Sequence, residues 1–121
     1  MGGIITAVTA SGRFAQGTED SLLVKYAVLT ASASGATEIV AAVAGKQIRV
    51  IAYSVIVSGT VNIKWQGGAT DLTGLKYFVA NGGIVQGHNP AGWFQTGVGD
   101  ALNVNLSAAI AVGGEVVYVE V

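Results

Sequence analysis

The sequence contains no cysteine, so disulfides and thiolate metal sites are excluded within these 121 residues. Charge is also scarce: Asp, Glu, Lys and Arg make up 11% of the chain, against ~25% in an average soluble domain. The formal net charge is −1, and the six basic residues (Arg13, Lys25, Lys46, Arg49, Lys64 and Lys76) are scattered. Binding to a phosphate backbone needs clustered Lys and Arg, so nucleic acid is not an expected partner. The sole histidine, His88, lies in the loop Gly87-His88-Asn89-Pro90. A zinc site needs about four ligands, and neither a second His nor a Cys is available. No stretch approaches the ~20 apolar residues of a membrane helix, so no membrane partner is expected. The start, Met1-Gly2-Gly3-Ile4-Ile5-Thr6, has no basic residue before its apolar run and does not read as a secretory signal.

What is abundant is small and apolar. Hydrophobic residues make up 51% of the chain, and glycine occurs 18 times; mean hydropathy is +0.58. The length suits one domain. A small domain has a large surface for its volume and normally covers it with charge. Here Ala, Gly, Ser, Thr and Asn must do so, and some apolar surface is expected to meet a partner.

Residues 1–22 differ from the rest. Gly2, Gly3, Gly12 and Gly17 are interspersed with Thr and Ser, and Ile4, Ile5, Val8 and Phe14 follow no sustained period. This reads as an extended N-terminal arm, either a loose tail or a segment that orders on a neighbouring subunit through those four anchors. One helical turn near Thr18 to Leu22, capped by Thr18, is compatible with the pattern. The domain proper is expected over residues 23–121.

From there strand signals recur every ~8–12 residues. Val24 to Ala31 and Thr37 to Ala42 are the first two. Gln47 to Ser58 is a long, nearly continuous apolar run, expected as a central strand covered in part on both faces. Val61, Ile63 and Trp65 alternate with Asn62, Lys64 and Gln66, as in a strand with one face in the core. Leu75 to Ala80 follows, then the turn Asn81-Gly82-Gly83. Ile84-Val85 and Trp93-Phe94 flank the His88 loop. Leu102, Val104 and Leu106 are expected inward, with Asn103 and Asn105 outward. Gly113-Gly114 reads as the turn into a last strand, Glu115 to Val121. No segment shows a convincing helical period. The fold class expected is all-β: an antiparallel β-sandwich, jelly-roll-like, with an extended N-terminal arm.

Catalytic constellations are not evident. The acids Glu19, Asp20, Glu38, Asp71, Asp100, Glu115 and Glu120 are spread out, and Asp71 and Asp100 sit in turn-like contexts that favour Asp for its own backbone bonding. A glycosidase needs two carboxylates brought together in space. Gly45-Lys46 lacks the preceding glycine of a P-loop, and Gly97-Val98-Gly99 lacks the third glycine of a dinucleotide fingerprint. No catalytic residue, cofactor or metal site is therefore assigned. Trp65, Tyr77, Phe78, Trp93 and Phe94 could form a sugar-stacking platform; core packing or a subunit interface is the better default. Trp93 and Phe94 join Ile4, Ile5, Val8 and Phe14 as candidate interface residues.

Several segments resemble small structural proteins of tailed bacteriophages. They are Ala42-Val43-Ala44-Gly45-Lys46-Gln47-Ile48-Arg49-Val50, Asn81-Gly82-Gly83-Ile84, Asn89-Pro90-Ala91-Gly92-Trp93-Phe94, and Leu102-Asn103-Val104-Asn105-Leu106-Ser107 with Val112-Gly113-Gly114. The resemblance covers residues 25–121 and excludes the arm. It implies a virion component with a jelly-roll-like fold: a capsid decoration or cement protein, made in the host bacterial cytoplasm. Such a protein sits as a homotrimer on the capsid exterior and clamps neighbouring major capsid subunits. Other proteins of this kind form parts of fibres or tail tips, so a glycan-binding host-recognition module is the second expectation.

Overall fold

Period-two alternation governs the chain from Lys25 onward. In a strand, successive side chains leave opposite faces, so alternating apolar residues gather on one side and need a second layer to cover them. The computed structural model describes residues 22–121, and among these there are ten strands and no helix. They are β1 (Lys25–Ala31), β2 (Gly35–Val40), β3 (Ile48–Val57), β4 (Val61–Gly67), β5 (Thr70–Asp71), β6 (Lys76–Phe78), β7 (Gly83–Gln86), β8 (Phe94–Gln95), β9 (Leu102–Leu106) and β10 (Val112–Glu120). Ile4, Ile5, Val8, Phe14 and the turn expected from Thr18 lie outside the described residues.

Two antiparallel sheets form. One runs β1-β10-β3-β7, with β8 also on β3; the other runs β2-β9-β4-β5, with β6 also on β4. β1 pairs with β10, β2 with β9, β3 with β7 and β8, and β4 with β6. The first half of the chain is thus a ribbon laid against the second half and rolled up, the jelly-roll connection. The expected sandwich is what forms.

The core fills the space between the sheets. Leu29, Ile48, Val50, Val57, Val61, Ile63, Trp65, Leu102, Val104, Leu106 and Val116 are all essentially inaccessible to solvent. Tyr53, Trp65 and Phe94 meet at its centre. The Tyr53 ring stands edge-on to Trp65 at 5.3 Å and to Phe94 at 5.7 Å, and Trp65 and Phe94 lie 5.4 Å apart. Edge-to-face contacts of this kind add to simple area burial. Burial of the Tyr53 hydroxyl raises its pKa above the ordinary tyrosine value, against opposing hydrogen bonds involving Gln86 and Trp65.

Two features depart from the sequence reading. The glycine pair 113–114 is not the turn into β10 but part of that strand, opposite Thr30 and Leu29 of β1 and Ile56 and Val55 of β3. A Cβ on Gly114 would stand 2.1 Å from the Ser54 carbonyl oxygen, and its φ is +155°. Glycine is there because β3 comes too close for any side chain. β9 and β10 belong to different sheets, and residues 107–111 join them.

β3 is the second case. Val117 pairs with Ala52 while Tyr118 pairs with Val50, which leaves Ile51 as an extra residue. This bulge switches the inward set from Ile48 and Val50 to Tyr53, Val55 and Val57. The strand is interior to its sheet and covered in part on both faces, as expected: Ile51, and Val119 beside it on β10, are buried outside the core cluster, and the phase change adds to the apolar run. Ile56, on the outer face, is exposed.

Candidate functional site

Strand register determines which outward side chains share a surface. Across the outer face of the β2-β9-β4-β5 sheet, one row reads Glu38, Asn103, Gln66, Asp71, and the next reads Ala36, Asn105, Lys64. Asn62 and Tyr77 stand opposite each other further along. These groups satisfy one another. Gln66 Nε2 donates to Asp71 Oδ1 at 2.8 Å, and Asn105 Nδ2 donates to Gln66 Oε1 at 3.2 Å. Lys64 Nζ lies 3.1 Å from Asp71 Oδ1. Asn103 Nδ2 donates to the Gly68 carbonyl at 2.9 Å. The hydrogen bonds from Gln66 and Lys64 hold the Asp71 carboxyl below the usual carboxylate range. This face is dressed for water.

The outer face of the β1-β10-β3-β7 sheet is the opposite. Its rows read Tyr26, Val117, Ala52; then Val28, Glu115, Ser54, Val85; then Thr30, Gly113, Ile56, Gly83. Tyr26, Val28 and Val85 are each about three-quarters exposed, at 75%, 74% and 77%, and Ile56 is 57% exposed. The single charge in these rows, Glu115, accepts a hydrogen bond from the Ser54 hydroxyl. Ile56 stands between two glycines of neighbouring strands, a ridge with a trough on either side. Leu23 and Val24, which lead into β1, are exposed as well. With strands ~4.8 Å apart and ~3.3 Å per residue, these rows, five residues deep across four strands, present a face of roughly 300 Å². Glu115 and Ser54 stand between Val28 and Val85 in the middle of this face; its size matches the largest apolar patch of a typical monomer, which is often a functional surface.

At one end of this face is an open recess of about 380 Å³, lined by Ile56, Val57, Ser58, Asn81, Ala111, Val112 and Gly113. No acid or histidine lines it. Among the described residues no three His, Cys, Asp or Glu side chains gather as a metal site would require. Glu38 and Asp71 end one row with two strands between them. At three strand spacings they are roughly 14 Å apart, beyond the ~5–10 Å of a glycosidase pair. Glu120 is paired with Lys25 at 3.0 Å. His88 is exposed in its loop.

The aromatic candidates part company. Trp65 and Phe94 belong to the central cluster, and Phe78 packs against the core. Tyr77, its neighbour on β6, faces outward and is exposed. Trp93 is 42% exposed, with its indole Nε1 donating to the Gly87 carbonyl at 2.8 Å. Its backbone N–H donates to Val50 O at 2.8 Å, and Asn89 N–H donates to Ile51 O at 2.8 Å, so the loop is laced to β3 beside the bulge. Trp93 and Phe94 are therefore not a matched pair of contact residues: one lies at the surface and the other reaches inward. Tyr77 lies on β6 of one sheet and Trp93 in the loop leading into β8 of the other, so they build no common platform. Sequence reasoning missed Tyr26, Val28, Ile56 and Val85 as one surface. Their alternation was visible strand by strand, but the strand order that places them side by side was not.

No family model matches this chain, and no curated protein does. Among solved structures, a chain described under "Bacillus endospore appendages form a novel family of disulfide-linked pili" is similar in fold, with a TM-score of 0.50 and 15% sequence identity. The match covers 82% of this chain and 86% of that one.

Proposed function

We propose that this chain is a structural subunit that acts by being packed against other protein surfaces, and specifically a capsid decoration protein of a tailed bacteriophage. One observation carries the reading: of two outer sheet faces, one is a hydrogen-bonded polar lattice and the other is nearly uncharged, apolar and exposed. A free monomer has no use for that asymmetry, whereas a subunit lodged on a shell does. Apolar burial stabilises by roughly 25 cal/mol per Å² before ordering costs. A face of ~300 Å² is well under half of the ~800 Å² that one partner contributes to a standard interface. Attachment would then draw on more than this face. The arm expected at residues 1–22 is the natural supplement, reaching the major capsid protein or an adjacent copy.

The bacteriophage assignment, the capsid exterior as location and the homotrimer rest on the sequence resemblance. The pilus neighbour supports only the narrower point that this sandwich fold occurs in a protein that assembles. These 121 residues have no cysteine, so a disulfide link of the kind named for that neighbour is closed to them, and their contacts would be non-covalent. Mass spectrometry and cryo-electron microscopy of particles released by cells encoding this protein test the reading. Density for the sandwich on the outer capsid, with the β1-β10-β3-β7 face turned toward a neighbour, is the expected result. Intact particles lacking the protein would refute it.

A glycan-binding module of a tail or fibre is the second reading, favoured by the exposed rings of Tyr77 and Trp93. It ranks behind because Tyr77 lies on β6 of one sheet and Trp93 in the loop leading into β8 of the other. Glycan-array binding lost in Trp93→Ala would reverse the order.

A further inference from the structure

The sandwich has four sheet edges, and they are protected very unequally. The edge beside β4 is made of β5 and β6, two and three residues long. The opposite edge of that sheet is β2, which carries the exposed Glu38 and an irregularity between Glu38 and Val40. The edge beside β3 is broken into β7 and β8, four and two residues, with a laced loop between them. Short strands, charges and bulges are the usual devices that keep edges from pairing with other chains. The fourth edge, β1, is neither short nor bulged and carries a single charge at its first residue. It runs seven residues, Lys25-Tyr26-Ala27-Val28-Leu29-Thr30-Ala31, in unbroken register with β10, and contains no proline or glycine. Its one charge, Lys25, is paired with Glu120 on the same chain. Among the described residues β1 pairs only with β10, so one row of its backbone N–H and C=O groups meets no other strand.

We infer that β1 is a strand-pairing site whose occupant is β1 of a second copy of this chain, joined antiparallel across a two-fold axis at Val28. This deepens the subunit reading above and rests on it. A two-fold at Val28 lets all seven residues pair: Lys25 opposite Ala31, Tyr26 opposite Thr30, Ala27 opposite Leu29, and Val28 opposite itself. The outward set 26, 28, 30 meets the outward set, and Ala27 meets Leu29 on the inner side, so pleat and burial continue across the junction. No like charges face each other. The two apolar outer faces become one continuous surface, with Tyr26 and Val28 from each copy at its centre. Alternatives fit less well. Face-to-face stacking would press two Glu115 carboxylates into an apolar contact, and β2 as the partner strand would bring Glu38 and a bulge.

Seven-residue strand pairing covers less area than a standard interface, so the contact is weak between free molecules. Copies held side by side on a shell gain from high effective concentration. An isologous contact closes at two copies, so three-fold groups built through other surfaces would be linked to their neighbours by it.

The lack of native cysteine makes the test clean. In the full chain, Val28→Cys places two thiols across the axis at the ~4.5–5.5 Å Cβ separation of opposed residues, close to disulfide geometry. Val85→Cys is equally exposed on the same face but three strands away, so the two thiols it introduces into a β1-paired dimer lie roughly 30 Å apart. Both variants are oxidised with diamide at roughly 100 µM, a concentration suited to a small interface. Expected is a two-chain band on non-reducing gels for Val28→Cys, formed at least about tenfold faster than for Val85→Cys and suppressed by adding Tyr26→Lys/Thr30→Lys, which sets two pairs of like charges directly opposite each other across the junction. Equal rates for the two cysteines would mean face-to-face contact and overturn the proposal. So would no band above a urea-unfolded control, or an intramolecular disulfide in Val8→Cys/Val28→Cys, which would give the edge to the chain's own arm. Failure here with the protein present on particles removes the β1 contact alone. A Val28 cross-link in a protein absent from particles removes the capsid reading alone.

Discussion

Replacing Gly114 with alanine puts the strand assignment of β10 at risk. The new Cβ would lie 2.1 Å from the Ser54 carbonyl oxygen and 2.8 Å from its carbon, well inside the ~3.5 Å of ordinary contact. Neither atom belongs to a flexible side chain, so β10 and β3 must separate. Holding an alanine at φ +155° costs about 1–3 kcal/mol, and each ladder hydrogen bond loosened costs about 1 kcal/mol more. The sum is roughly 3–5 kcal/mol, which for a domain of this size lowers Tm by about 10–25 °C. Gly113 is the internal control: a Cβ there meets nothing within 4 Å. Gly113→Ala should change stability by less than about 1 kcal/mol, and stiffening of the unfolded chain favours a small gain. Thermal melts by circular dichroism and urea titrations followed by tryptophan fluorescence measure both. Equal shifts for the two variants would refute the β3–β10 register and restore the glycine pair to a turn.

Three other outcomes are expected. Trp65→Ala empties the centre of the aromatic cluster and should cost about 3–5 kcal/mol in urea titrations; Trp93→Ala gives up a partly exposed ring and one hydrogen bond, about 1 kcal/mol, and equal costs would contradict the placement of the His88 loop. The pKa of Asp71 is depressed in the folded chain, so its favourable contribution is fully present above the unfolded value and fades as pH falls through the folded one. A carboxyl carbon titration by NMR should give a midpoint below that of an ordinary aspartate, moving up in Gln66→Ala; a midpoint at the ordinary value would contradict the hydrogen-bonded row. Deleting residues 2–20 should weaken attachment to particles while leaving the melt of the sandwich unchanged, and wild-type attachment would remove the arm from the account.

How much of this was legible in the sequence depended on how many faces a strand buries. β4 and β9 each bury one, so Val61, Ile63 and Trp65, and Leu102, Val104 and Leu106, announced their inward side by simple alternation. β3 hid its alternation because the bulge at Ile51 changes phase midway, and a continuous apolar run cannot by itself separate burial on both faces from a shift of phase. The Gly113-Gly114 pair misled for a related reason. Glycine signals either a turn or a close approach, and the approach of Ser54 is a tertiary fact. Trp93 and Phe94 were grouped as neighbours in sequence, although adjacent residues of an extended chain point opposite ways, a signal that was available. The candidate surface was half legible. Tyr26, Val28 and Thr30 alternate visibly with Ala27 and Leu29, but only the strand order joins them to Ile56 and Val85.

The central claim is that the β1-β10-β3-β7 face is where this protein is held. The most direct measurement is co-sedimentation with particles stripped of it, comparing the wild-type chain with Val28→Thr/Ile56→Thr/Val85→Thr and with the polar-face control Lys64→Ala/Asn105→Ala. The account predicts that the threonine variant keeps its fold yet binds about tenfold or more weakly, a loss of ~1.4 kcal/mol or more, while the control binds as wild type. Undiminished binding by the threonine variant, or loss confined to the polar-face control, would contradict it.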